Sequence, residues 1–95
     1  MVNISVIRGS TIRITNTIKD FDGTAITPTS QLITIKDPGG ATQDTSTTPT
    51  ETSTGVYYYN YETPTNGTVG TWTVEWKVTY GLFDSIERAT FTLAA

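Results

Sequence analysis

The acidic residues around one turn are the first candidates for chemistry in this chain. The segment Asp20-Phe21-Asp22-Gly23 could begin a calcium-binding loop, because calcium prefers carboxylate oxygens, and Asp84 is expected at the same end of the molecule. A complete EF-hand loop also needs a glutamate at its twelfth position, where this chain has Gln31. An Asp-Gly turn whose side chains cap backbone amides explains the motif more simply. We therefore expect no bound metal and no cofactor.

Catalytic chemistry lacks its usual residues. The 95 residues include no histidine and no cysteine, which removes imidazole bases, thiolate nucleophiles and the commonest zinc ligands. A general base would have to be a carboxylate, a lysine or a tyrosine whose pKa is strongly shifted inside a pocket. A small domain whose core takes up most of its ten aromatic residues leaves no obvious cleft. We expect that the protein is not an enzyme.

Charge and hydropathy argue against two classes of partner. The net charge is −3, and the six basic residues are scattered singly, so no basic stripe follows a phosphate backbone. No apolar run approaches the length of a membrane span, and the first residues do not resemble a signal peptide. We expect neither nucleic-acid nor membrane binding. The chain is expected to be used without Sec export or to belong to a longer secreted protein.

Exposed apolar side chains are the remaining candidates for recognition. Val56 and Tyr58 alternate with the other tyrosines of their segment and should face away from the core. Leu82 and Phe83 fall at a turn between two strands, where exposed apolar area is often kept for a partner. Packing over the open end of the fold is the alternative for that pair. The predicted partner-binding residues are Leu82, Phe83, Tyr58 and Val56.

Threonine is unusually frequent, with 22 residues, and many lie between Ala41 and Thr54. A threonine ladder of the ice-binding kind needs a long regular array, and Pro49 interrupts this one. A solvated edge strand or loop is the simpler interpretation. Such an edge can accept a strand from a partner through main-chain hydrogen bonds alone, so we expect a protein partner or self-association.

The elements that hold these residues are predicted to be strands. Between Gly70 and Val78 large apolar residues occupy every second position, so the two tryptophans share one face. No segment has apolar residues at helical spacing. About seven short strands with a turn roughly every ten residues predict an all-β, two-sheet sandwich over residues 1–95, with a small closed barrel as the alternative. The predicted core contains Trp72, Val74, Trp76, Ile12, Ile14, Ile33, Ile35, Tyr57, Tyr59, Phe91 and Leu93.

The turn motifs follow one another in a recognisable order. Arg8-Gly9-Ser10-Thr11 precedes an alternating strand, Asp20 to Thr24 forms the next turn, and Asp37-Pro38-Gly39-Gly40 closes a later strand. Gly55-Val56-Tyr57 and Gly70-Thr71-Trp72 begin two further strands. This order resembles an antiparallel Ig-like sandwich, in particular the small Ig-like domains of phage virion and baseplate proteins. The same pattern is similar to macroglobulin-type Ig-like domains of bacterial surface proteins. Such motifs specify a fold rather than a partner.

Two functions follow from this resemblance, and both are non-enzymatic. The first is a phage virion module, a capsid decoration or tail-associated protein that acts through protein contacts. The second is a spacer or carbohydrate-binding module of a bacterial or archaeal surface protein, located outside the cell as part of a longer chain.

Overall fold

Eight β-strands make up the regular structure of residues 4–19 and 22–95, the part of the chain that this computed structural model describes. About 65% of the residues are in strands, and the described ranges contain no helix. The count is close to the seven or so strands expected, and the polar segment 41–54 supplies two short edge strands. The strands are β1 (Ile4–Ile7), β2 (Thr11–Thr17), β3 (Ser30–Lys36), β4 (Thr42–Ser46), β5 (Thr50–Ser53), β6 (Val56–Glu62), β7 (Gly70–Tyr80) and β8 (Phe83–Ala94).

The strands form two sheets of unequal size, which confirms the predicted sandwich over the barrel. The larger sheet has the order β1-β8-β7-β3-β4 and the smaller has the order β2-β6-β5. β1 runs parallel to β8, and the other neighbours are antiparallel.

The core lies between the inner faces of the two sheets, as the alternation predicts. Burial is complete along β7, where Trp72 is 1% exposed and Trp76 is 0% exposed. Both indoles also satisfy their polar atom: Trp72 Nε1 donates to the Thr68 carbonyl at 2.8 Å, and Trp76 Nε1 donates to Gln31 Oε1 at 2.9 Å. The predicted core residues are confirmed, and Tyr59 is partly buried against them. The assigned face of β7 is therefore correct.

The turn between β7 and β8 is shorter than the sequence predicts. The sequence predicts a turn over Gly81 to Asp84. In the structure Tyr80 pairs with Phe83, so only Gly81 and Leu82 lie between the strands. Gly81 has a φ of +60°, which suits the first central position of a type II′ hairpin turn. Phe83 and Asp84 therefore belong to β8, whose predicted start was Ser85.

Candidate protein-interaction site

The β7–β8 hairpin extends past the smaller sheet. β8 has 12 residues and spans about 40 Å, close to the 42 Å length of the molecule, whereas the seven residues of β2 span only about 24 Å. β1 pairs with β8 only from Phe91 to Ala94. As a result, residues 83–88 of β8 are exposed throughout, although they alternate between two faces.

Four exposed apolar side chains lie on this hairpin. Leu82 is 99% exposed at the turn, Phe83 58%, Ile86 49% and Tyr80 45%. The pairing of β8 with β7 places Phe83 on the inner face of the sheet, opposite Tyr80, and Ile86 on the outer face, opposite Lys77. We call these four residues the hairpin patch. Exposed apolar side chains close together on one element often mark a contact with a partner.

A groove of about 280 Å³ runs between the hairpin and the end of β2. It forms because β8 continues where the smaller sheet has no further strand to cover it. Both apolar and polar residues line the groove, and they include Ile18, Ile26, Val78, Asn16, Lys19 and Glu87.

Asn16 is the unexpected residue of this groove. It takes an inward position of β2 and is only 4% exposed, and its Nδ2 is the one buried side-chain polar atom of the described residues without a hydrogen-bond partner. A buried donor with no acceptor costs about 1–3 kcal/mol. The sequence analysis missed Asn16, although its place between Ile14 and Ile18 in an otherwise apolar row is a visible signal.

The four predicted partner-binding residues fall on two separate surfaces. Leu82 and Phe83 belong to the hairpin patch. Val56 and Tyr58 are partly buried on the outer face of β6, in the other sheet. Arg13 lies over the Tyr58 ring, with its Cζ 4.1 Å from the ring centroid, and so covers part of that aromatic face. Leu82 and Phe83 are thus joined on the hairpin by Tyr80 and Ile86. Val56 and Tyr58 belong to a different surface.

The acidic candidates that lie within the described residues do not form a metal cluster. Asp20 and Phe21 lie outside the described residues. Asp84 Oδ1 accepts a hydrogen bond from Thr79 Oγ1 at 2.9 Å, so this carboxylate is held on its own hairpin. Residues 4–19 and 22–95 contain no group of three His, Cys, Asp or Glu side chains able to hold a metal ion. The same residues contain no helix long and apolar enough to span a membrane.

Three tyrosines of β6, Tyr57, Tyr59 and Tyr61, face the interior rather than a surface platform. Tyr57 donates its hydroxyl to Glu51 Oε2 at 2.7 Å, and Tyr59 donates its hydroxyl to Asp44 Oδ2, which joins the two sheets. The hydrogen bond to Asp44, followed by burial, raises the pKa of Tyr59 to about 12. Burial, followed by the bond to Glu51, raises the pKa of Tyr57, and burial raises that of Tyr61.

The polar segment 41–54 forms the edge strands β4 and β5, as expected. Both edges are short and irregular: the β3–β4 register shifts between Ile35 and Lys36, and the β5–β6 register shifts between Glu51 and Ser53. Irregular, polar edges of this kind are poor templates for an added strand.

Comparisons with known proteins show a shared fold. The structure of Salmonella α-2-macroglobulin reacted with methylamine matches 99% of this chain with a TM-score of 0.79 and 20% identity. The structure of trypsin-activated α-2-macroglobulin from Escherichia coli matches 94% of it with a TM-score of 0.73 and 18% identity. This chain covers 6% of the length of each of those chains. No family model and no curated protein sequence matches it.

Identity this low indicates a common fold and not a common activity. Of the two resemblances drawn from the sequence, the one to macroglobulin-type domains is supported, whereas that to phage baseplate domains is not shown. The chain therefore shares the fold of macroglobulin-type Ig-like domains found in bacterial proteins.

Proposed function

We propose that this chain is a non-catalytic interaction module of a bacterial surface protein and that it binds another protein through the β7–β8 hairpin. The observation that carries the proposal is the hairpin patch, four apolar side chains on one hairpin that are between 45% and 99% exposed. Burial of apolar area provides most of the free energy of protein association.

The shared fold supports the bacterial part of this proposal. The two similar structures are bacterial α-2-macroglobulins in which a domain of this size is a small part of a long chain. That likeness supports the proposal that the chain is part of a longer bacterial protein, and we place that protein outside the cell as part of the same proposal. A virion role is favoured only by the turn motifs of the sequence.

Protein contact is favoured over carbohydrate binding by the state of the β6 tyrosines. A sugar platform needs exposed aromatic rings, but Tyr57 and Tyr61 are buried and Tyr58 lies beneath Arg13. The exposed apolar surface of the hairpin, in contrast, combines large side chains with an open strand edge, which is a surface that other proteins can pair with.

The test compares two double mutants that each remove two exposed apolar side chains. Leu82→Ser with Phe83→Ser changes the hairpin patch, and Ile7→Ser with Val69→Ser is the matched control, since Ile7 is 64% and Val69 52% exposed elsewhere. Immobilised variants are probed with a bacterial cell-envelope extract and with the purified chain itself.

We expect the hairpin mutant to keep its melting temperature within a few degrees and to lose most binding, while the control binds like the wild type. Unfolding of the hairpin mutant would show that Leu82 and Phe83 belong to the core. Unchanged binding would place the contact elsewhere.

A further inference from the structure

Part of β8 has main-chain hydrogen-bonding groups on the side away from β7 that could pair with an added strand. β7 pairs with β8 over its whole length, whereas β1 pairs only with Phe91 to Ala94. On the side away from β7, no strand in the described part of the chain pairs with residues 84–88. An edge that no described strand pairs with, here with the exposed apolar side chain of Ile86 at its centre, is a template for strand addition.

The two faces of this edge differ in chemistry. Its pairing with β7 puts Asp84, Ile86 and Arg88 on the outer face, and Ser85 and Glu87 on the inner face beside the groove. Two identical edges related by a twofold axis perpendicular to the sheet run antiparallel and keep their faces on the same sides. Each outer-face residue must then lie opposite another outer-face residue.

Charge selects one of the registers that this symmetry allows. A pairing centred on Ile86 places Asp84 opposite Arg88 twice and Ile86 opposite itself, which joins opposite charges and covers an apolar side chain. A pairing centred on Ser85 leaves Asp84 opposite Ile86. A pairing centred on Glu87 places two carboxylates directly opposite each other, which is destabilising.

We propose that two copies of this chain associate through residues 84–88 of β8, antiparallel and centred on Ile86, so that the two five-stranded sheets become continuous. This inference rests on the proposed function and identifies the partner as a second copy. It covers Ile86, which is 49% exposed in the single chain, and it extends the contact to the hairpin turn.

The same pairing adds a carboxylate beside the groove. In this register Glu87 of the second copy lies opposite Ser85, on the groove side of the sheet. The groove is lined by Asn16, whose Nδ2 has no acceptor among the described residues, by Lys19 and by the chain's own Glu87. A second Glu87 increases the number of hydrogen-bond acceptors on this side of the sheet.

The experiment is a charge reversal followed by sedimentation velocity from about 1 μM to about 1 mM, a range that covers weak to moderate association. Asp84→Arg places arginines opposite each other, and Arg88→Asp places aspartates opposite each other. The two variants mixed in equal amounts restore opposite charges at both positions. Glu62→Arg, an exposed carboxylate on β6, is the matched control.

We expect the wild type and E62R to dimerise, each single variant to associate about tenfold more weakly or not at all, and the mixture to form heterodimers. A wild type that stays monomeric at 1 mM, or single variants that dimerise like it, would overturn the inference. If the wild type is monomeric while hairpin-dependent binding to envelope proteins persists, the proposed function stands and only the second copy is excluded.

Discussion

Asn16 is a buried residue that lowers the stability of the fold and lies beside the surface that we assign to binding. The other inward residues of β2, Ile12 and Ile14, are buried and apolar, and Ile18 continues the row beyond the strand. The amide of Asn16 is buried among them with its Nδ2 unsatisfied. A residue that breaks the local pattern in this way is expected at a functional site.

Replacing Asn16 by leucine should therefore stabilise the single chain. Removal of the unsatisfied donor is expected to raise the free energy of unfolding by about 1–3 kcal/mol, as measured by urea denaturation. Asn60→Leu is the control, since Asn60 is exposed on β6 and should change stability by less than about 0.5 kcal/mol. A loss of stability in N16L would mean that the amide has a structural partner.

The core residue with the largest expected effect is Trp76, which is 0% exposed. Trp76→Ala should lower the free energy of unfolding by roughly 3–5 kcal/mol, because a large cavity remains between the sheets. Leu82→Ala, at a site that is 99% exposed, should have almost no effect in the same denaturation experiment. Equal losses in the two variants would contradict the assigned inner face of β7.

Tyr59 makes stability depend on alkaline pH. The hydrogen bond to Asp44 raises the pKa of Tyr59 from its ordinary value of 10.0 to about 12 in the folded chain, so the folded state holds the phenolic proton more tightly than the unfolded state. Its stabilising contribution is complete below pH 10 and is lost as the pH rises towards 12. Tyr57 and Tyr61 shift in the same direction.

Tyr59→Phe should be less stable than the wild type at pH 8, since the bond to Asp44 is lost, but its stability should fall less steeply above pH 10. Denaturation midpoints measured across the alkaline range give both slopes. Identical slopes in the two proteins would show that ionisation of Tyr59 is not coupled to unfolding.

Among the elements, the turn between β5 and β6 is the most constrained. Gly55 is buried with a φ of +78°, and a Cβ placed there would come within 2.7 Å of the Ile18 carbonyl oxygen. The Gly55 carbonyl in turn accepts a hydrogen bond from the Ile18 amide at 2.7 Å. The turn is thus packed against the end of β2, beside the groove.

Gly55→Ala should consequently cost about 2–5 kcal/mol, the sum of backbone strain and a main-chain clash. Gly40→Ala is the matched control, because Gly40 also has a positive φ, +87°, but has open space around its Cβ position. Thermal unfolding should show a loss of only about 1–2 kcal/mol for G40A, from strain alone. Similar losses in both variants would rule out the clash.

How far the sequence predicts these elements depends on what determines each of them. The faces of β7 and β6 follow from alternation of large apolar residues, which leaves little choice of register. The start of β8 does not, because Phe83, Asp84 and Ser85 have no apolar alternation and are ordered by pairing with β7. The groove could not be predicted from the sequence either, because it results from the unequal lengths of strands that lie in different sheets.

At the scale of the whole molecule, unequal sheets produce the surface that we assign to binding. Five strands face three, and β1 pairs only with the far end of β8, so within the described residues no strand pairs with the other part of this edge. A strand added there would extend the larger sheet beside the groove. The proposed dimer uses this part of the edge.

Hydrogen–deuterium exchange of the β8 amides tests this central claim most directly. In dilute solution, where the chain has no partner, we expect amides on the open side of residues 84–88 to exchange rapidly and those of residues 91–94, between β1 and β7, to exchange slowly. At high protein concentration, protection should appear at residues 84–88. Protection there already in dilute solution, or a gain confined to β4 and β5, would contradict the account.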